Sequence, residues 1–156
     1  MSSVTRRDVV RIMTAGAVAL AVGPQVAVAA EEKPLTPETI VAKKFEGKAT
    51  VEFTVGDEGT GGILGGSRKY GGVSGIYLCP SGKLKGDDRV RVRILTKPTH
   101  DLFRVGVDRG DPGGHFRGKV IRVTGQITRT PYSSGTVYEL DVESLDQIED
   151  VRKLKP

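Results

Sequence analysis

From Arg89 to Ile94 the chain reads Arg-Val-Arg-Val-Arg-Ile, charge alternating with β-branched residues, which is the period of an extended strand with one wet and one dry face. The alternation recurs. Ala49, Val51, Phe53 and Val55 interleave with Lys48, Thr50, Glu52 and Thr54; Ile121, Val123 and Ile127 stand opposite Arg122, Thr124 and Gln126; Tyr138, Leu140 and Val142 stand opposite Glu139, Asp141 and Glu143. A shorter apolar run, Ile76–Leu78, completes five expected strands. Each has a single dry face, so they must close over a common core, which predicts a small all-β barrel or sandwich. The one cysteine, Cys79, excludes a disulfide scaffold.

The first thirty residues belong to a different argument. Thr5-Arg6-Arg7-Asp8-Val9-Val10-Arg11 resembles the twin-arginine export signal. A weakly apolar run from Ile12 to Val22 and Ala27-Val28-Ala29 follow, so residues 1–30 read as a cleaved signal peptide with Arg6 and Arg7 as its recognition pair. The run is shorter than a bilayer span and is interrupted by Gly16, Gly23 and Pro24, so no stable transmembrane span is expected in the mature form. The expected partner is the twin-arginine machinery and the expected location periplasmic or extracellular. Without the three Arg and one Asp of this segment, 24 basic and 19 acidic groups become 21 and 18. The net charge falls from +5 to +3, so a polyanion partner has to be argued from where charges stand.

Residues 31–45 read as a polar leader and a short helix. Thr36 is placed as N-cap, Pro37 in the first turn and Glu38 at the positive end of the helix dipole, with Ile40, Val41 and Phe45 on one face, which predicts a helix over 37–44. Residues 46–150 form the main domain and 151–156 a tail. Within the domain, nine of the twenty residues from Gly56 to Gly75 are glycine, which predicts a long loop or a loose strand extension. This stretch lacks both the Gly-x-Gly-x-x-Gly spacing and a Gly-Lys-Ser/Thr end, so it is not a phosphate loop. Thr99–Phe103 predicts a helical turn between the third and fourth strands, and Asp108–Gly114 is turn chemistry.

That order of elements is the OB-fold (oligonucleotide/oligosaccharide-binding) layout: a five-stranded barrel with a short helix between strands three and four, preceded here by the short N-terminal helix. Three stretches also resemble a group of bacterial exported OB-fold modules of uncertain function. They are His115-Phe116-Arg117-Gly118-Lys119-Val120-Ile121-Arg122-Val123-Thr124-Gly125-Gln126-Ile127; Pro37-Glu38 with Gly47-Lys48-Ala49-Thr50-Val51-Glu52; and Asp146-Gln147-Ile148 with Val151. The resemblance spans roughly residues 36 to 150. Gly118 and Gly125 are read as tight backbone at strand ends.

The resemblance implies a ligand on the outer face of strands two and three and on the loops beside it. There the sequence offers Arg89, Arg91 and Arg93 as a basic stripe, Tyr77 on the second strand, Arg68, Lys69 and Tyr70 in the first loop, and Arg129 and Tyr132 between the last two strands. Arg with interleaved Tyr suits single-stranded nucleic acid; the basic row alone suits an acidic polysaccharide. The competing reading is a solvated sheet face, with Asp87, Asp88 and the acidic last strand as partners of the arginines, in an envelope-associated interaction module. No catalytic constellation is expected. His100-Asp101 and His115 stand among turn residues without a nucleophile, and Gly86-Asp87-Asp88 with Arg91 lacks the further acidic and basic groups of an OB-fold nuclease. Asp108, Asp111 and His115 sit among Gly and Pro in a turn, so neither metal nor cofactor is expected, and Cys79 is read as a small buried hydrophobe.

Overall fold

Thr36 opens the first helix, α1 (Pro37–Lys43), by accepting the Thr39 N–H on its hydroxyl at 3.3 Å; Pro37 needs no donor in that position. Lys44 turns left-handed at φ 48° to end it, and Phe45 N–H returns to the Ile40 carbonyl at 2.9 Å. Ile40 is fully buried, so this helix is part of the core. The computed structural model describes residues 33–66, 68–84 and 86–151; the export motif with Arg6 and Arg7 and the tail beyond Val151 lie outside the described residues.

Among these residues the strands are β1 (Gly47–Thr54), β2 (Gly61–Leu64), β3 (Val73–Leu78), β4 (Arg89–Ile94), β5 (Val120–Tyr132), β6 (Gly135–Val142) and β7 (Ile148–Asp150). Their order is β1-β5-β6-β4-β3-β2. Neighbours are antiparallel except β4 and β6, and β7 pairs with the Ile121–Val123 stretch of β5. A second helix, α2 (Thr96–Arg104), follows β4. Its buried Thr99 donates its hydroxyl to the Ile94 carbonyl at 3.3 Å, joining helix start to strand end.

The expected closed five-stranded OB-fold barrel is therefore not what forms. The sheet is open, mixed and seven-stranded, and two α-helices accompany it. The glycine-rich stretch explains the difference. Of the two readings, a long loop or a loose strand extension, it contains a strand: it folds back as β2 and takes the edge of β3 that a closing β1 would need, while β4 holds the other edge. Contact between the end of β1 and the end of β3 is reduced to the isolated bridge Val55↔Pro80. Gly75 permits the crowding in β3, since a Cβ there would stand 2.8 Å from the Ile94 carbonyl oxygen.

The dry faces read from the alternation do meet. Val51, Phe53, Val90, Val92, Ile94, Ile121, Val123, Ile127, Tyr138, Leu140 and Val142 are buried in one cluster, with Ile40, Leu102 and Phe116 packed in from the helices and a turn. Each such side chain contributes about 1.5–3 kcal/mol by leaving water. Gly125 lies inside β5 rather than at its end: a Cβ would come within 2.9 Å of Leu140 Cδ2.

Candidate functional site: the Arg89–Arg91 cleft

The wet face of β4 is decided by its parallel neighbour. Register sets Arg91 beside Glu139 and Arg93 beside Asp141, while Arg89 faces Val137. Arg91 Nε donates to Glu139 Oε2 at 2.5 Å, and Arg93 Nη1 lies 3.2 Å from Glu139 Oε1. Arg93 donates Nε and Nη2 to the two oxygens of Asp141 at 2.9 and 2.7 Å, a fork-on-fork pair. The bond to Asp141 pushes the Arg93 guanidinium pKa further up, so its charge is permanent and committed. The basic row is thus one paired arginine, one partly paired and one, Arg89, without an ion pair among the described residues.

Arg91 also lies over Tyr77, its guanidinium carbon 4.3 Å from the ring centroid. That face of the Tyr77 ring is therefore covered by the guanidinium. Nε is engaged by Glu139, and among the described residues Nη1 and Nη2 make no hydrogen bond. The side chain is held in place with a donor fork still available.

Two clefts meet here, sharing Asp87, Arg89 and Arg91. The larger, about 440 Å³, runs past Tyr77, Cys79 and Leu84 to a wall formed by Glu58 and Gly59; the smaller, about 310 Å³, runs to Tyr132 and Ser134 in the β5–β6 hairpin. The 86–88 turn between them is anchored. Asp88 Oδ1 accepts the Thr136 N–H at 2.7 Å, and Gly135, at φ +132°, lets the Asp87 backbone approach so closely that a Cβ would lie within 2.3 Å of its carbonyl oxygen. Asp88, one of the carboxylates that a nuclease reading would use, is spent on this anchor.

Of the residues singled out in the sequence, the structure gathers Tyr77, Arg89, Arg91 and Tyr132 around the clefts. Tyr132 is 56% exposed, as a stacking ring would be. Arg93 lies on the same face, tied to Asp141. Arg68 and Lys69 are exposed in a 3-10 turn, Arg68–Tyr70, where Arg109 donates to the Lys69 carbonyl at 3.0 Å; they line neither cleft. The backbone of Tyr70 belongs to that turn. Arg129 is exposed on β5, paired in register with Tyr138, and is likewise absent from both linings. Sequence reasoning missed Lys83, which lines the larger cleft from the β3–β4 loop; it stands in Gly82-Lys83-Leu84-Lys85-Gly86, between two glycines, where no periodicity marks it.

Cys79 is half-buried, not the fully buried small hydrophobe expected. It lies at the cleft, its Sγ donating to the Gly59 carbonyl at 3.3 Å and its N–H to Thr60 Oγ1 at 2.9 Å. Burial pushes the thiol pKa up, against the opposing pull of Arg91 and Arg89. Around Asp108–His115 the carboxylates are used locally: Asp108 accepts the Gly110 N–H at 2.8 Å, and Asp111 is clamped by Arg117. Among the described residues no group of three His, Cys, Asp or Glu is arranged to hold a metal ion, and no helix is long and apolar enough to cross a membrane.

The chain matches no known protein family, no curated protein and no solved structure. The cleft has to be understood from its own chemistry.

Proposed function

We propose that this is an exported, non-catalytic binding protein that holds single-stranded nucleic acid along the Arg89–Arg91–Tyr132 surface. The observation that carries the reading is the state of Arg91: held by Glu139 at Nε and set over the Tyr77 ring, it lines both clefts with Nη1 and Nη2 in no hydrogen bond among the described residues. A guanidinium so held suits a phosphate, because little side-chain freedom remains to be lost on binding. Arg89, two residues along the strand, adds a second cation about 7 Å away, matching an extended sugar–phosphate backbone. Tyr132 supplies a ring beside them. Such a surface follows a backbone without reading bases.

The ion pairs favour a second reading. Glu139 and Asp141 already compensate Arg91 and Arg93, as expected of a solvated sheet face in an envelope-associated accessory module. Fluorescence anisotropy of labelled single-stranded oligonucleotides with the full chain, at two salt concentrations, separates the two. Nucleic-acid binding predicts affinity that falls steeply with salt, and Arg89→Ala lowers the slope by about 0.7, the share of one phosphate on a single strand. Competition by an acidic polysaccharide of equal charge tests whether the rings matter. No binding near micromolar protein at low salt leaves the accessory-module reading.

Export rests on the Thr5–Arg11 motif, for which the partner is the twin-arginine machinery. Replacing Arg6 and Arg7 together by Lys keeps the precursor in the cytoplasm, since the receptor reads the pair and not its charge alone; cell fractionation reads the outcome.

A further inference from the structure

One wall of the larger cleft is secured from outside it. Arg117, in the turn before β5, grips Asp111 with both terminal nitrogens at 2.6 and 2.8 Å. The same guanidinium sends Nη2 to the Thr60 carbonyl at 3.4 Å, while its buried Nε, 3.3 Å from Asp57 Oδ1, forms an ion pair there without a hydrogen bond. Asp57 and Thr60 are the two ends of the turn between β1 and β2. Backbone packing reinforces the grip, for a Cβ on Gly113 would stand 3.0 Å from both Gly61 N and Thr60 Cγ2.

The middle of that turn reaches the cleft. Glu58 and Gly59 form its wall, and Gly59, at φ +73°, lies on Cys79 so closely that a Cβ would meet Sγ at 3.1 Å. Thr60 meanwhile receives the Cys79 N–H. A single arginine thus contacts both ends of a segment whose centre packs against one side of the half-buried thiol of Cys79.

We infer that Arg117 is a positioning residue for the cleft: by holding Asp111, Asp57 and the Thr60 carbonyl together, it latches the Asp57–Thr60 turn over Cys79 and fixes the wall made by Glu58 and Gly59. The consequence for ligand affinity rests on the proposed nucleic-acid reading; the latch itself does not. Without Arg117 the turn keeps its internal Thr60 N–H to Asp57 carbonyl bond at 3.2 Å, the Gly56 N–H to Cys79 carbonyl bond at 2.9 Å and the two Cys79 donations to Thr60 and Gly59, and with its outer side released it opens by local fluctuation more often than the fold unfolds.

Cys79 reports this directly. In the full chain, alkylation by iodoacetamide followed by mass spectrometry measures how far the turn shields this half-buried thiol. Arg117→Ala and Asp111→Asn raise the alkylation rate about three- to tenfold, the effect of losing a well-oriented but partly exposed pair. Arg104→Ala, which breaks the remote Arg104–Asp101 pair, leaves the rate within about twofold. Unchanged rates in both latch variants, or an equal rise in Arg104→Ala, overturn the inference. Should Arg117→Ala melt far below the wild type, Asp111→Asn and Asp57→Asn decide, since the Asp57 side chain is 92% exposed and its loss cannot unfold the domain; unchanged alkylation in both overturns the latch. The anisotropy titration is run on the same proteins. Faster alkylation with weaker oligonucleotide binding supports the positioning role, and faster alkylation with unchanged binding overturns it. Faster alkylation in a chain that binds no oligonucleotide overturns the nucleic-acid reading and leaves the latch standing.

Discussion

Whether Arg91 belongs to the fold, to a ligand, or to both is a question of how strongly Glu139 holds it, and a double-mutant cycle measures that. Glu139 is the inner partner, its side chain 15% exposed against 31% for Arg91, and Arg91 Nε approaches its carboxylate to 2.5 Å. Fully exposed pairs contribute about 0.2–1 kcal/mol, whereas hydrogen bonds to charged groups away from water contribute about 1.5–3. This pair lies between those limits, and Glu139 also receives Arg93 Nη1 at 3.2 Å, which keeps the carboxylate oriented when Arg91 is removed. The expected coupling energy between Arg91→Gln and Glu139→Gln is therefore about 1 kcal/mol. Glu139→Gln alone, which weakens two contacts, should destabilise by about 1–2 kcal/mol, lowering Tm by about 4–10 °C in a domain of this size. Urea unfolding of the wild type, both single variants and the double variant yields the cycle, with equal m-values as the check that the native state is unchanged. A coupling below about 0.3 kcal/mol would refute the assignment of Arg91 as a fixed guanidinium, and with it the preorganisation on which the binding proposal depends.

Three further outcomes follow from the same structure. Phe53→Ala should cost about 3–5 kcal/mol in denaturant unfolding, because the ring lies in the core between β1 and its neighbours; a cost under about 1 kcal/mol would place it on the surface. Gly135→Ala should destabilise by more than about 2 kcal/mol, since its Cβ would strike the Asp87 backbone at a positive φ, and it should also perturb the amide resonances of Thr136 and Asp88. Arg117 lowers the pKa of Asp111 by hydrogen bonding, so the clamp's stabilisation is complete above the ordinary carboxylate range and is lost as pH falls through the lowered value; melts of wild type and Asp111→Asn should differ at neutral pH and converge in acid.

Much of this molecule is legible from residue order because the local rules are strong. The bounds of β4 follow from its alternation, and α1 ends within one residue of where its cap chemistry places it. Burial of Val51, Phe53, Val92, Ile121, Val123 and Leu140 follows from parity alone, since a period of two assigns each side chain a face. Parity does not say which strand lies alongside. That Arg91 faces Glu139 depends on a parallel pairing between segments 48 residues apart, and the same alternation would serve an antiparallel neighbour with other partners. Composition left the Gly56–Gly75 stretch open between a loop and a loose strand extension, and did not reveal a paired edge strand there. Glycine has no side chain to carry an alternating pattern, so β2 becomes visible only through its ladder with β3, and with it the reason the sheet stays open. The Arg117 grip is harder still to read. Its partners Asp57, Thr60 and Asp111 come from two separate loops, and loops have no period to betray which of them will touch. Sequence by itself determined the faces of the strands and the chemistry available on each; tertiary structure alone decided which charges meet, because pairing is set by long-range register and packing that no local pattern encodes.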